Sequence, residues 1–166
     1  MDPSKLTWIT AAKAKGMFAK PIVNVFTDIT IVKHFTLQTL EGPQQVKDDL
    51  TLCIGTSKAD PWMMPMKEIV NNYNFEGTTP DGWMYFFPKP GITVQAHQVT
   101  EADFAEGEDV HGFQIYVNAG HAVWPDGPDG EKKFVQTGDL NDYICQRDGT
   151  FWIVKKEVFD ATYNTE

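Results

Sequence analysis

KDDLTLCIGTSKADPWMMPMKEIVNNYN, residues 47–74, and TGDLNDYICQRDGTFWIVKKEVFDATYN, residues 137–164, align without a gap at a constant offset of 90. Asp49, Leu50, Ile54, Trp62, Tyr73 and Asn74 match Asp139, Leu140, Ile144, Trp152, Tyr163 and Asn164, and Ile69 faces Phe159 as an apolar equivalent. Two of these matches are rare aromatics at one spacing, so the segments read as an internal repeat, which then governs how the rest of the chain is divided. Upstream, Lys20-Pro21-Ile22-Val23 echoes Lys89-Pro90-Gly91-Ile92-Thr93-Val94.

Each copy reads as strand, turn, strand, short helix. In the second, residues 141–146 form a strand, and Arg147-Asp148-Gly149 turns because glycine accepts the positive φ of a tight hairpin. Residues 151–154 return, and 155–163 then place Val158, Phe159 and Thr162 or Tyr163 at helical spacing. In the first, Ala59-Asp60-Pro61 makes the turn and Pro65 ends the strand before a helix over 66–73. Further strands are expected at 22–26, 34–40, 44–47, 82–87 and 92–99, with Glu41-Gly42-Pro43 as a hairpin turn and Thr100 and Asp103 as a helix cap. A hairpin with one or two helical turns cannot stand alone. The expected fold is therefore α+β, mostly antiparallel β hairpins with short helices, in two pseudo-repeated halves that share a core.

The halves differ in length and charge. An N-terminal segment (1–19) precedes a first copy with a connecting strand (20–88) and a second copy (89–166). Lys20 to Asp49 spans 29 positions and Lys89 to Asp139 spans 50, so the second copy carries about 21 extra residues, placed within 101–131. That stretch includes EADFAEGED and WPDGPDGE, which are acidic, Gly- and Pro-rich and loop-like. Residues 1–90 hold nine acids and nine Lys/Arg, whereas 91–166 hold fourteen against five, which is the whole net charge of −9 (5 − 14). Such a surface repels phosphate, so direct nucleic-acid binding is not expected. No apolar run approaches the roughly 18–20 residues of a membrane span, and the N-terminal stretch lacks the apolar segment of a secretory signal. Cys53 and Cys145 read as free buried thiols of a reducing cytoplasm (a host's, if the protein is viral).

These residues resemble a family: small hypothetical proteins of bacteriophages and prophages with a PGDYG-type domain. The first copy is similar through Lys20-Pro21, Thr39-Leu40-Glu41-Gly42, Asp49, Gly55 and Tyr73. The second is similar through Lys89-Pro90, Gly138-Asp139, Gly149, Trp152, Phe159 and Thr162-Tyr163. The first copy departs at Asp48, where the family has Gly, and at Asn71-Asn72. The resemblance implies a fold and no activity.

Chemistry-bearing residues form no familiar set. His97, His111 and His121 lie among acids in the second copy, but their spacing fits no metal motif, and no metal site is expected. The cysteines fall on core strands, Ser4 and Ser57 lack a nucleophile context, and Asp48-Asp49 and Glu108-Asp109 read as solvated pairs. No phosphate loop or dinucleotide fingerprint occurs. No catalytic residue and no cofactor is expected.

Trp62 and Trp152, with Tyr73, Tyr163, Asp49 and Asp139, read as structural. Trp83, Tyr85, Phe86 and Phe87 exceed what one strand face can bury. They form either a central strand between the copies or an open binding or homo-oligomer surface. The expected function is that of a non-enzymatic phage or prophage accessory protein that binds a host or phage protein. The alternatives are an acidic, nucleic-acid-mimicking decoy and a module that holds a small nucleotide-like ligand. Partner contact is expected from Glu106, Glu108, Asp109, Asp126, Asp129 and Glu131, with Trp124 as apolar anchor.

Overall fold

The computed structural model describes residues 1–25, 36–40, 42–56, 60–118, 121–123 and 134–165. Glu41 and Ala59 of the expected turns, and Trp124, Asp126, Asp129 and Glu131 of the expected contact surface, lie outside the described residues.

In chain order the first strands are β1 (Ile9–Lys13), β2 (Met17–Pro21), β3 (Thr36–Thr39), β4 (Gly42–Gln45), β5 (Leu50–Gly55) and β6 (Pro61–Pro65). Helix α1 (Ile22–Val25) follows β2, and α2 (Met66–Asn72) joins β6 to β7 (Tyr73–Thr78) and then β8 (Met84–Pro88). The second half has β9 (Thr93–Gln98), β10 (Phe113–Asn118), β11 (His121–Val123) and β12 (Phe134–Gly138). It closes with β13 (Tyr143–Arg147), β14 (Thr150–Val154), α3 (Lys156–Thr162) and β15 (Tyr163–Thr165). The class is α+β, built mostly of antiparallel hairpins with few short helices, as the sequence leads one to expect.

The chain divides into a contiguous unit, Lys13–Ile92, and a split unit made of Met1–Ala12 and Thr93–Glu166. The contiguous unit has a five-stranded sheet in the order β6-β5-β2-β8-β7, and the split unit has one in the order β14-β13-β9-β1-β15. The two orders read alike: hairpin, central strand, a further strand, then the strand that follows the helix. The exception is chain order. The strand beside the central one comes last in the contiguous unit (β8) and first in the split unit (β1). Residues 84–88 therefore belong inside one sheet, pairing with β2 and β7, and do not bridge the copies.

Alternation along the strands sorts the side chains by face. In the split unit Ala11, Val94, Ala96, Cys145 and Val154 are buried with Val158 and Phe159 of α3. On the opposite face Val99, Ile144 and Ile153 are buried with Phe113 and Ile115. The contiguous unit repeats this with Met17, Ala19, Cys53 and Phe86 around Ile69 of α2, and Ile22, Val46 and Met63 opposite. Small alanines at the centre of each sheet leave room for the helix to sit close.

Strand register corrects the gapless alignment. Trp62 faces Cys53 across one hairpin, and Trp152 faces Cys145 across the other. The offset is 90 for the tryptophans (152 − 62) and 92 for the cysteines (145 − 53). Cys53 thus corresponds to Cys145 and not to Tyr143, because the first hairpin is two residues longer. The second closes on Asp148 and Gly149 alone, both at positive φ (51° and 78°), the geometry of a two-residue turn that follows the strand twist.

Four other expectations are corrected. Residues 22–25 are helical because the strand ends at Pro21, and Ile22 turns inward to be buried. Lys20-Pro21 closes β2, whereas Lys89-Pro90 lies in the turn before β9, so their likeness does not mark equivalent places. Tyr73 and Tyr163 cap their helices and open strands β7 and β15, which sequence reading missed. The 101–131 stretch is not simply loop: it holds β10 and β11, and β10 with its partners forms a three-stranded sheet that buries Phe113 and Ile115.

Candidate functional site

The two sheets carry different residues at matching ladder positions on the face away from the helix. In the contiguous unit the row runs Pro61, Ile54, Phe18, Tyr85, each paired with the next across neighbouring strands. In the split unit it runs Phe151, Gln146, Gln95, Thr10. The second row is mostly polar and satisfied internally, with the Gln95 amide donating to the Thr10 hydroxyl at 3.3 Å. The first is apolar. Phe18 and Tyr85 rings meet at 5.3 Å, and both stay only half-buried.

Phe87, next along β8 on that same face, is 42% exposed. Among the described residues, the β3–β4 hairpin covers the other end of this face through Leu37 and Val46, over Met63, Leu50 and Leu52. At one margin the Lys20 ammonium donates to the Asp81 carbonyl at 2.7 Å and lies 5.7 Å from the centre of the half-buried Trp83 ring. Phe86 points to the helical side and is buried. Of the expected aromatic run, Tyr85 and Phe87 form the open surface, joined by Phe18 and Ile54. Phe75, on edge strand β7, is 57% exposed and packs edge-on against Phe86 at 5.7 Å.

The acidic segment of the split unit is more internally engaged than its composition suggests. Glu106 and Asp109 are exposed. Glu108 accepts the Ala105 N–H at 2.6 Å and pairs with the N-terminal ammonium at 3.0 Å, and these two hydrogen bonds hold its carboxyl below the usual range. Asp109 accepts the His111 N–H at 3.0 Å in a local turn.

Of the residues expected to be structural, Trp62 and Trp152 are both half-buried against the helix-side clusters. The Lys13 ammonium lies 4.6 Å from the Trp62 ring centre. Tyr73 is buried, while Tyr163 continues the stack Tyr143–Phe159–Tyr163, whose rings lie 3.7 and 4.7 Å apart. Asp49 is exposed. Asp139 is exposed too, and the Gly112 N–H holds its carboxyl down, helped by Lys155.

Among the described residues the buried carboxylate is Asp142, which sequence reading did not single out. It accepts the backbone N–H groups of Asp139 (2.8 Å) and Lys156 (2.9 Å) and the Lys155 ammonium (2.9 Å), so it anchors the first turn of α3. Nothing in the spacing of that acid distinguishes it from its neighbours; its role depends on the turn that carries it.

Cys53 is buried, and burial pushes its thiol up to about 12, away from reactivity. Among the described residues no three His, Cys, Asp or Glu side chains gather as metal ligands, and no helix is long and apolar enough to cross a membrane. No protein-family model, curated protein or solved structure matches the chain.

Proposed function

We propose that the protein is a non-enzymatic binding protein whose contiguous unit presents its aromatic face to a protein partner. The observation that carries this reading is Phe87, left 42% exposed beside half-buried Phe18 and Tyr85, where the split unit's matching ladder row is mostly polar. Covering the part of this ring still exposed stabilises a complex by roughly 1 kcal/mol, and a few aromatics set in a polar rim commonly supply most of an interface's energy. The partner's surface is apolar at its centre. The net charge of −9, all of it from residues 91–166, favours approach of a cation-rich surface and chiefly accelerates association.

The motif resemblance supports placing this binding role in a phage or prophage accessory protein acting in a host cytoplasm. The matched hairpin pairs Cys53–Trp62 and Cys145–Trp152, and the like strand orders, support a tandem duplication in which one strand has changed its place in the chain.

A photo-crosslinking residue at position 87 tests the reading. The expected result is one dominant protein adduct, lost in Phe18→Ser and retained when acids of α3 are neutralised. Adducts formed equally well from exposed position 160 would overturn it. A crosslink to a second copy of this chain, with a dimer by light scattering, would replace the partner by self-association.

A further inference from the structure

His97 lies in β9, buried, with both ring nitrogens aimed at acceptors. Nδ1 is 2.8 Å from the carbonyl oxygen of Thr7, and Nε2 is 2.8 Å from Oδ2 of Asp103. A carbonyl oxygen can only accept, and an ionised carboxylate can only accept. Both contacts are therefore hydrogen bonds only when the ring carries two protons. Asp103 is itself fixed: the same Oδ2 accepts the Thr100 N–H at 2.7 Å and the Thr100 hydroxyl at 3.2 Å, closing a capping box around the 3-10 turn 101–103.

The neighbours make the ring a junction. Trp8 meets the imidazole edge-on at 6.1 Å and Phe151 of β14 at 6.1 Å, and Leu6 is buried in the cluster below. The neighbours of His97 from other elements are otherwise uncharged: Ile144 of β13 is its cross-strand partner, and Trp8 packs on its ring. Glu101 of the 3-10 turn is exposed, and Lys5 and Asp2 of the N-terminal segment pair with each other at 3.8 Å. Among the described residues, Asp103 is the one charged group in contact with the ring.

We propose that His97 is a pH-sensitive latch that fastens residues 6–8 to the split unit when doubly protonated and releases them when it loses a proton. Imidazole is the side chain whose charge changes between about pH 5 and 8. On deprotonation the remaining proton stays on Nε2, beside the carboxylate, because a charged acceptor holds it more strongly than a carbonyl. The Nδ1 lone pair then faces the Thr7 oxygen at 2.8 Å, an arrangement of two acceptors with no donor. Thr7 moves away, and Trp8 loses its seat on the ring.

The test uses the full chain. Ring ¹⁵N shifts of His97 followed from pH 5.5 to 8.5 are expected to show two protonated nitrogens at the acid end and a bare Nδ1 at the alkaline end. Amide protection at residues 6–8, corrected for the intrinsic effect of pH on exchange, is expected to fall by about tenfold or more across that range, the size of a lost hydrogen bond to a charged group. In His97→Gln, which does not titrate, the pH response should vanish. A singly protonated ring at pH 5.5, unchanged protection in the wild type, or the same response in His97→Gln would each overturn the latch. The ring measurement stands even if the variant does not fold.

Discussion

The side-chain oxygen of Gln136 accepts the backbone N–H of Ile153 at 2.7 Å, on a strand that ends its sheet. Ile153 is buried, so without this contact its outward N–H would be shut away from both sheet and water. Gln44 does the same for Met63 on edge strand β6, accepting at 2.8 Å and donating back to the Met63 carbonyl at 3.1 Å. One glutamine thus finishes the outer edge of each hairpin.

Gln136→Ala is expected to destabilise the protein by about 1–3 kcal/mol, the cost of an orphaned buried donor. Gln44→Ala, which orphans a donor and an acceptor, should cost at least as much. Urea unfolding measures both, and losses under about 0.5 kcal/mol in the two variants would mean that water replaces the carboxamides.

Phe159 and Trp152 should rank in the reverse of their size. Phe159 is 2% exposed in the middle of the Tyr143–Phe159–Tyr163 stack, so Phe159→Ala is expected to cost about 3–5 kcal/mol. Trp152 is half-buried, and its truncation should cost less, about 1.5–3 kcal/mol. A larger loss at Trp152 would place the centre of the core beneath the hairpin and not in the stack.

Glycine packing yields a second ranking. A methyl group on Gly16 would lie 2.8 Å from the Phe86 carbonyl oxygen, which is backbone and cannot swing away, and 2.5 Å from the Tyr85 hydroxyl. At Gly138 the obstruction is the far end of the Phe113 ring, which can tilt. Gly16→Ala should therefore cost about 1–3 kcal/mol and exceed Gly138→Ala. Thermal midpoints of the two variants decide the order.

Acid should loosen the split unit first. Burial pushes the Asp103 carboxyl up, but hydrogen bonds from His97 and Thr100 outweigh it and hold it below its ordinary value of 3.8. Asp139 is likewise lowered, chiefly by the Gly112 N–H. A carboxyl with a depressed folded value contributes stability that is complete above the unfolded value and lost as pH falls through the folded one. In the contiguous unit Asp81 is also held low, by the Thr79 hydroxyl, but it is fully exposed, so its loss costs the fold little. Amide NMR signals between pH 5 and 2.5 are expected to fade in residues 93–165 before residues 42–88. Simultaneous loss would show that the units unfold together.

What was legible in the sequence was local. Asp148-Gly149 declares its turn, Pro65 ends its strand so that the helix starts at Met66 as read, and the second helix, read from residue 155, starts one residue later at Lys156. The register of the first strand was not legible. A gapless match rewards Asp49 with Asp139, yet both are exposed, while Cys53 and Cys145, each fully buried opposite a tryptophan, fall out of step by two. Identity at exposed acids carries no packing information. Nor did spacing reveal Asp142 or the His97–Asp103 pair, because both depend on bringing distant backbone to the side chain. The aromatic run was seen, but only strand pairing separates Phe86, which faces the helix, from Phe87, which faces outward.

The early position of β1 has a consequence during synthesis. Its partner β9 begins about eighty residues later, and the contiguous unit has all its strands in hand before any of β9 emerges. Growing from the ribosome, residues 13–92 can close as a local fold while residues 9–12 wait with a bare hydrogen-bonding edge. Small domains commonly fold in milliseconds to seconds, and synthesis runs at roughly 5–20 residues per second. Strand β1 is thus made well before it can be paired, and it spends seconds of every round of translation as an open invitation to chaperones or to the same strand on a neighbouring chain.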